Sequence, residues 1–233
     1  MPSSAPSLRR LVESRLFTGL EDAALKQILC AAQVCRIASK KAVTAKGGRP
    51  DYLFLLRSGR AKFYIPTESG SEVLLSWVVP SDVIGLVSLL ANPPDYLASS
   101  ATVADCEFLS WNHGNIRRLA KAYPQLAENG FRLALHYLGV YIKRHASVMT
   151  KNAETRLAQT LLQLATEVGE MQPLGVAIDI TNEQLGSLSD MSSFTASRLL
   201  SKWEREGTLS KHRGRVMLHA PESLMIAHGQ QAD

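Results

Sequence analysis

Residues 180–207 read ITNEQLGSLSDMSSFTASRLLSKWEREG, and two short helices joined by a tight turn account for nearly every position in that stretch. Thr181 can cap a first helix with its hydroxyl, and Gln184 three residues later closes a capping box. Leu185 and Leu188 then face inward. Ser189, Asp190 and Met191 supply the turn, Ser192 or Ser193 caps a second helix, and Ala196, Leu199, Leu200 and Trp203 form its buried stripe. The exposed complement is Ser193, Phe194, Ser197, Arg198, Ser201, Lys202 and Arg205. This is the layout of a helix-turn-helix.

Downstream, TLSKHRGRVML (208–218) reads as a two-stranded wing turning at Gly214, with Lys211, Arg213 and Arg215 able to neutralise phosphates. Six basic residues between Arg198 and Arg215 stand against Glu204 and Glu206. That local excess matters because the segment 151–233 as a whole carries 8 Lys/Arg and 10 Asp/Glu, whereas 1–150 carries 18 and 11. In a helix-turn-helix the start of the second helix enters the major groove, where an arginine can bind guanine O6 and N7 together. Arg198 is placed for that contact, and Phe194 for packing on a thymine methyl. The expected surface for double-stranded DNA is Thr181, Ser192, Ser193, Phe194, Ser197, Arg198 and Lys202, with Lys211, Arg213 and Arg215 on the wing.

Upstream, short β-type runs follow one another: YLFLL (52–56), RAKFYI (60–65), EVLLSWVV (72–79), SATV (100–103) and EFLSW (107–111). Turn clusters such as KGGRP (46–50), PTESG (66–70) and ANPPD (91–95) separate them, a spacing that favours a sandwich or small barrel. Residues 8–29 read as a preceding helix with Leu11, Phe17, Leu20, Leu25 and Ile28 as apolar positions. After Trp111 the pattern turns helical, first near 115–122 and then from Pro124 to about Thr150. There Phe131, Leu135, Leu138, Ile142, His145 and Met149 follow the 4, 3, 4, 3, 4 spacing of a two-stranded coiled-coil seam. A second face carries Leu126, Leu133, Tyr137 and Val140, so this helix expects two partners: its own β-domain and a second copy of the chain. The polar stretch KNAE (151–154) reads as a hinge before a helix over 155–169 and a strand VAIDI (176–180) that leads into Thr181.

The composition, 233 residues with 45% hydrophobic and 20% charged, is that of a soluble globular chain. No apolar run approaches the ~20 residues of a membrane span, and MPSSAPSLRR lacks the features of a secretory signal, which gives a cytoplasmic expectation. Cys30, Cys35 and Cys106 are odd in number with no CxxC spacing, so they read as reduced, buried thiols and no metal site is expected. No P-loop, G-x-S-x-G, H-E-x-x-H or paired-carboxylate arrangement appears, and the chain does not read as an enzyme.

The order of β-domain, seam helix, hinge and winged helix resembles the CRP/FNR superfamily of bacterial transcription regulators from about Leu16 to Leu224. The matching segments are YLFLLRSGRAK (52–62), PSDVIG (80–85), and Thr181, Gly186, Ser192, Thr195 and Arg198 in register. The resemblance implies an α+β fold. Its parts are an N-terminal jelly-roll β-barrel of cyclic-nucleotide-binding type with flanking helices (1–122), a long dimerisation helix and hinge (123–151), and a C-terminal winged helix-turn-helix (152–233). It further implies a homodimer on a palindromic operator, with RNA polymerase as partner if the protein activates.

The resemblance also places the effector pocket at Gly85, Leu86, Ser99 and Ser100, and here the sequence departs from the family. Cyclic-AMP-binding members follow the glycine with glutamate and hold the phosphate with an arginine-serine pair, whereas Leu86 and Ser99-Ser100 stand at those places. Losing the arginine removes a charge-assisted contact of roughly 1.5–3 kcal/mol, which speaks against cyclic AMP. The iron–sulfur branch needs an N-terminal cysteine cluster that is missing. The alternative is a haem-based CO or NO sensor, or a redox sensor, with His113, His136, His145 and Cys106 as axial ligands, although no spacing singles out a pair. Trp77, Trp111 and Tyr96 either line an apolar pocket around Leu86 or belong to the barrel core. Phe194 replaces the glutamate that many members carry in the recognition helix, and Ser193 stands near where they carry an arginine, so the operator should differ from the family's common one.

Overall fold

The run YLFLL becomes the centre of the N-terminal half because all four residues from Leu53 to Leu56 are buried, two on each face of one strand. In the computed structural model, which describes residues 14–68, 70–219, 221 and 224, this strand is β3 (Tyr52–Ser58). It lies in an antiparallel sheet ordered β1 (Gln33–Ile37), β8 (Cys106–Asn112), β3, β6 (Val83–Ile84). A second antiparallel sheet is ordered β2 (Ala42–Thr44), β7 (Ser99–Thr102), β4 (Ala61–Pro66), β5 (Glu72–Val78). Phe54 and Leu56 meet Ala61, Val78, Ile84, Cys106 and Phe108 to form the core between the sheets. Leu53 and Leu55 point the other way and pack with Leu109 and Trp111 against helices. A strand buried on both faces reads as a continuous apolar run, which is why the periodicity there is not two.

The helices on that outer face are α1 (Asp22–Cys30), α2 (His113–Ala122) and the first half of α3 (Pro124–Thr150), which contribute Ile28, Ile116, Leu119, Leu126 and Leu133. Polar ties fix them. Trp111 Nε1 donates to the Ile28 carbonyl at 2.8 Å, and the buried Asn129 Nδ2 donates to the carbonyls of Leu16 (2.9 Å) and Thr18 (2.8 Å). In place of one helix over 8–29 there is a 3-10 turn, Arg15–Phe17, followed by α1, with Gly19 at φ 72 between them; Leu11 lies outside the described residues. Of the cysteines, Cys106 is buried, Cys35 half-buried and Cys30 exposed, because Cys30 follows the buried Ile28 by two residues in α1 and so falls on the opposite side of the helix.

The chain divides into two compact units, residues 1–140 and 141–233. The second contains α4 (Ala153–Glu167), α5 (Asn182–Leu188), α6 (Ser193–Arg205) and an antiparallel sheet ordered β11 (Leu209–His212), β12 (Arg215–Leu218), β10 (Gly175–Asp179), β9 (Glu170–Gln172). Leu157, Leu161, Ile178, Leu185, Ala196, Leu200, Trp203 and Val216 are all buried in its core. The wing is the β11–β12 hairpin, turning through Arg213 and Gly214, and Gly214 takes φ 73, the positive value that a turn of type II asks of its second central residue.

Candidate nucleic-acid interface and barrel site

Helix α5 begins as its sequence dictates. Gln184 N donates to Thr181 Oγ1 (3.2 Å) and Thr181 N donates to Gln184 Oε1 (2.9 Å), the full capping box. Ser192 is the cap of α6, accepting from Thr195 N at 3.1 Å, so Ser193 is left on the exposed first turn. The two helices approach closely where Gly186 lies: a Cβ there would stand 2.8 Å from the Met191 carbonyl oxygen. The turn itself is held by two guanidiniums. Arg144 grips the Asp190 carboxylate with Nε (2.8 Å) and Nη2 (3.0 Å) and also donates to the Ser187 carbonyl, while Arg156 donates to the carbonyls of Ser189 (3.0 Å) and Asp190 (3.1 Å). Two cations therefore cap the carbonyl end of α5, where the helix dipole favours positive charge. Asp190 takes φ 51, the left-handed conformation that Asp tolerates better than most residues.

On α6 the structure sorts the polar face into engaged and unengaged groups. Lys202 Nζ donates to Glu154 Oε1 at 2.7 Å, and this hydrogen bond raises the lysine above its ordinary pKa. Trp203 Nε1 shares the same oxygen at 3.2 Å. Glu204 accepts from the Lys211 main-chain N–H (2.9 Å), whose donation holds the carboxyl below its ordinary range, and Lys211 Nζ reaches Ser201 Oγ at 2.7 Å. Arg215 Nε donates to Asp179 Oδ1 at 2.5 Å. Lys202, Lys211 and Arg215 thus each hold an internal carboxylate. By contrast, among the described residues Arg198 and Arg213 make no ion pair; both are exposed, and Phe194 is 77% exposed.

In the barrel, Gly85 at φ 84 starts the 3-10 turn Leu86–Leu89, and a Cβ there would stand 2.5 Å from the Tyr52 carbonyl oxygen. The hydroxyls of the buried residues Ser99 and Ser100 are spent locally: Ser99 Oγ accepts from Lys46 N (3.0 Å), and Ser100 Oγ lies 2.7 Å from Thr44 Oγ1. Tyr96 closes over this region, its hydroxyl donating to the Tyr52 carbonyl (2.9 Å) while its main chain pairs with Gly47 and Gly48. Burial pushes its phenol above the ordinary pKa. Leu86 packs against the helix-side core that includes Trp111, whereas the Trp77 ring lies 5.3 Å from the Arg60 guanidinium.

Residues 35–123 match the cyclic nucleotide-binding domain family and residues 155–226 the Crp-like helix-turn-helix domain family, together about two thirds of the chain. The chain belongs to the CRP/FNR family of transcription regulators. It is 25% identical to the CRP-like cAMP-activated global transcriptional regulator of Mycobacterium tuberculosis, over 92% of this chain and 96% of the relative. It is 24% identical to the cAMP-activated global transcriptional regulator CRP of Salmonella typhimurium, over 85% and 95%. Among solved structures it shares its fold with the c-di-GMP-responsive global regulator CLP of Xanthomonas campestris (TM-score 0.74, 17% identity, covering 85% of this chain and 99% of that one).

For a CRP/FNR chain, the remaining groups singled out by sequence sit on β8 (Cys106), α2 (His113) and α3 (His136 and His145). His113 Nε2 is 3.0 Å from the Leu90 carbonyl oxygen, while His136 and His145 are exposed along α3. Cys106 points its thiol at the carbonyls of Arg60 and Ala104, both at 3.3 Å, and burial raises its pKa. Among the described residues no three His, Cys, Asp or Glu side chains gather to hold a metal, and no helix is long and apolar enough to cross a membrane. Sequence reasoning missed Glu154, Asp179, Arg144 and Arg156. Glu154 and Lys202 are 48 residues apart in sequence, and local periodicity carries no signal over that distance.

Proposed function

We propose that the protein regulates transcription as a homodimer that seats its two α6 helices in successive major grooves of a palindromic operator. The observation that carries this reading is the exposed pair of Phe194 and Arg198 on the leading half of α6, left without internal partners while Lys202 and Lys211 hold carboxylates. Arg198 binds a guanine edge and Phe194 a thymine methyl. Ser193 and Ser197 flank them, and Thr181 and Ser192, besides capping their helices, lie at the ends nearest the backbone. Arg213 at the wing tip neutralises a phosphate, with Lys211 and Arg215 beside it. Dimerisation is supported by the uncovered stripe on α3, where Phe131, Leu135, Leu138, Ile142 and Met149 are 65, 49, 53, 60 and 79% exposed, with His145 on the same stripe. Two copies packed along it would set half-sites about 34–36 Å apart. Where the operator favours activation, RNA polymerase is the partner.

The effector is a molecule other than cyclic AMP, or the protein works without one. Leu86 offers no carboxylate to a ribose, and the hydroxyls of Ser99 and Ser100 already have partners. Selection from random duplexes with the purified chain tests the main reading: a palindromic motif is expected, and Arg198→Ala should cost about 1–3 kcal/mol and relax one base position. No enrichment would overturn it. Millimolar cyclic AMP should leave both the melting temperature and DNA affinity unchanged.

A further inference from the structure

Phe194 lies in the first turn of α6 and Arg198 one turn later, at i and i+4 on one face, with Cβ atoms about 5–6 Å apart in that relation. Side chains on a helix lean toward its N-terminus, so an arginine at position 198 has the reach to act beside the ring at position 194. That Cβ separation covers one to two base steps of about 3.4 Å along a strand, so the two side chains can meet neighbouring bases. The phenyl ring can form no hydrogen bond, and it stands 77% exposed between Ser193 and Thr195 on an otherwise polar face. The one methyl group that a base edge can present in the major groove is the C5-methyl of a pyrimidine. Thymine carries that methyl, and so does 5-methylcytosine at the same place. The two bases differ in the neighbouring polar group, an O4 acceptor against an N4 donor, to which a phenyl ring is indifferent.

Resting on the DNA-binding reading above, we propose that Phe194 and Arg198 act as one unit that reads a C5-methyl pyrimidine beside a guanine. On this account Phe194 recognises the methyl group itself, and 5-methylcytosine replaces thymine at that position. Cytosine methylation then strengthens such a half-site about fourfold. The arginine fixes the step through the guanine, and the ring reports only the presence of the methyl.

The test uses the full chain and a duplex taken from random selection. Phe194→Ala identifies the base pair whose preference depends on the ring. At that position thymine, deoxyuridine, cytosine and 5-methylcytosine are compared by fluorescence anisotropy. Thymine and 5-methylcytosine should bind alike, while deoxyuridine and cytosine should bind about fourfold more weakly per half-site and about fifteenfold when both half-sites are changed. Phe194→Ala should make the four bases equal, and Phe194→Leu should keep the distinction. Equal binding of thymine and deoxyuridine by the unaltered chain overturns the proposal while leaving DNA binding intact, as does a Phe194→Ala variant with unchanged base preferences. Failure to enrich any duplex removes the DNA-binding reading, and this proposal with it.

Discussion

Replacing Gly186 by alanine sets two effects of opposite sign against each other. Gly186 sits inside α5, where alanine is favoured over glycine by about 1 kcal/mol through backbone entropy alone. Against that, the new Cβ would stand 2.8 Å from the Met191 carbonyl oxygen, 3.1 Å from Ser193 N and 3.2 Å from the Ser192 carbonyl carbon. All three are main-chain atoms, so no side chain can swing aside. The Met191 N–H is also tied to the Gly186 carbonyl at 3.0 Å, and moving the turn strains that bond. Overpacking costs typically about 1–3 kcal/mol before the loss of this bond, so the steric term wins and a net loss of about 1–2 kcal/mol is expected. Hydrogen exchange followed by mass spectrometry reads this locally, separate from the barrel. Peptides covering α5 and α6 should exchange about 5–30 times faster, and DNA affinity should fall because the cap of α6 and Phe194 move with the turn. Slower exchange, by the roughly fivefold that propensity alone gives, would refute the close approach of the two helices.

Three further outcomes concern charged side chains around the helix-turn-helix and wing. Arg144→Ala and Asp190→Ala, combined in a double-mutant cycle on exchange of the turn amides, should show coupling of about 1 kcal/mol, since the contact is bidentate but partly solvated; zero coupling would remove the clamp. Glu204 has its folded pKa below the ordinary 4.5, so its tie to the wing is fully present above that value and lost as pH falls through the lower folded one. The Lys211 amide proton shift should therefore hold from neutrality down to that acid range and then move, with Glu204→Gln abolishing the step. Arg213→Ala should reduce the slope of log affinity against log salt by about 1 per subunit and leave base preferences alone, whereas an unchanged slope would place the wing tip off the phosphates.

Much of the architecture is legible in the sequence because local chemistry determines it. The Thr181–Gln184 box, the Ser192 cap, the buried stripe of α6 and the Gly214 hairpin are contacts within a few residues, and each is present. The strand β1 was illegible, since QVCRI is mostly exposed and offers no apolar alternation, and β6 has only two residues. The six basic residues between Arg198 and Arg215 looked equivalent in sequence. They differ because Glu154 and Asp179, 48 and 36 residues from their partners, arrive only through the fold. The barrel site followed the same division: Gly85 was marked by its turn, but the clasp of Tyr96 on Tyr52 spans 44 residues and left no trace in spacing.

On the proposed reading, two chains act on one duplex through the stripe on α3. Native mass spectrometry of the full chain mixed with a selected duplex tests it directly, because mass alone gives the stoichiometry. A complex of two chains and one duplex is expected, with a free dimer alongside. One chain per duplex at saturation, with free monomer, would contradict it.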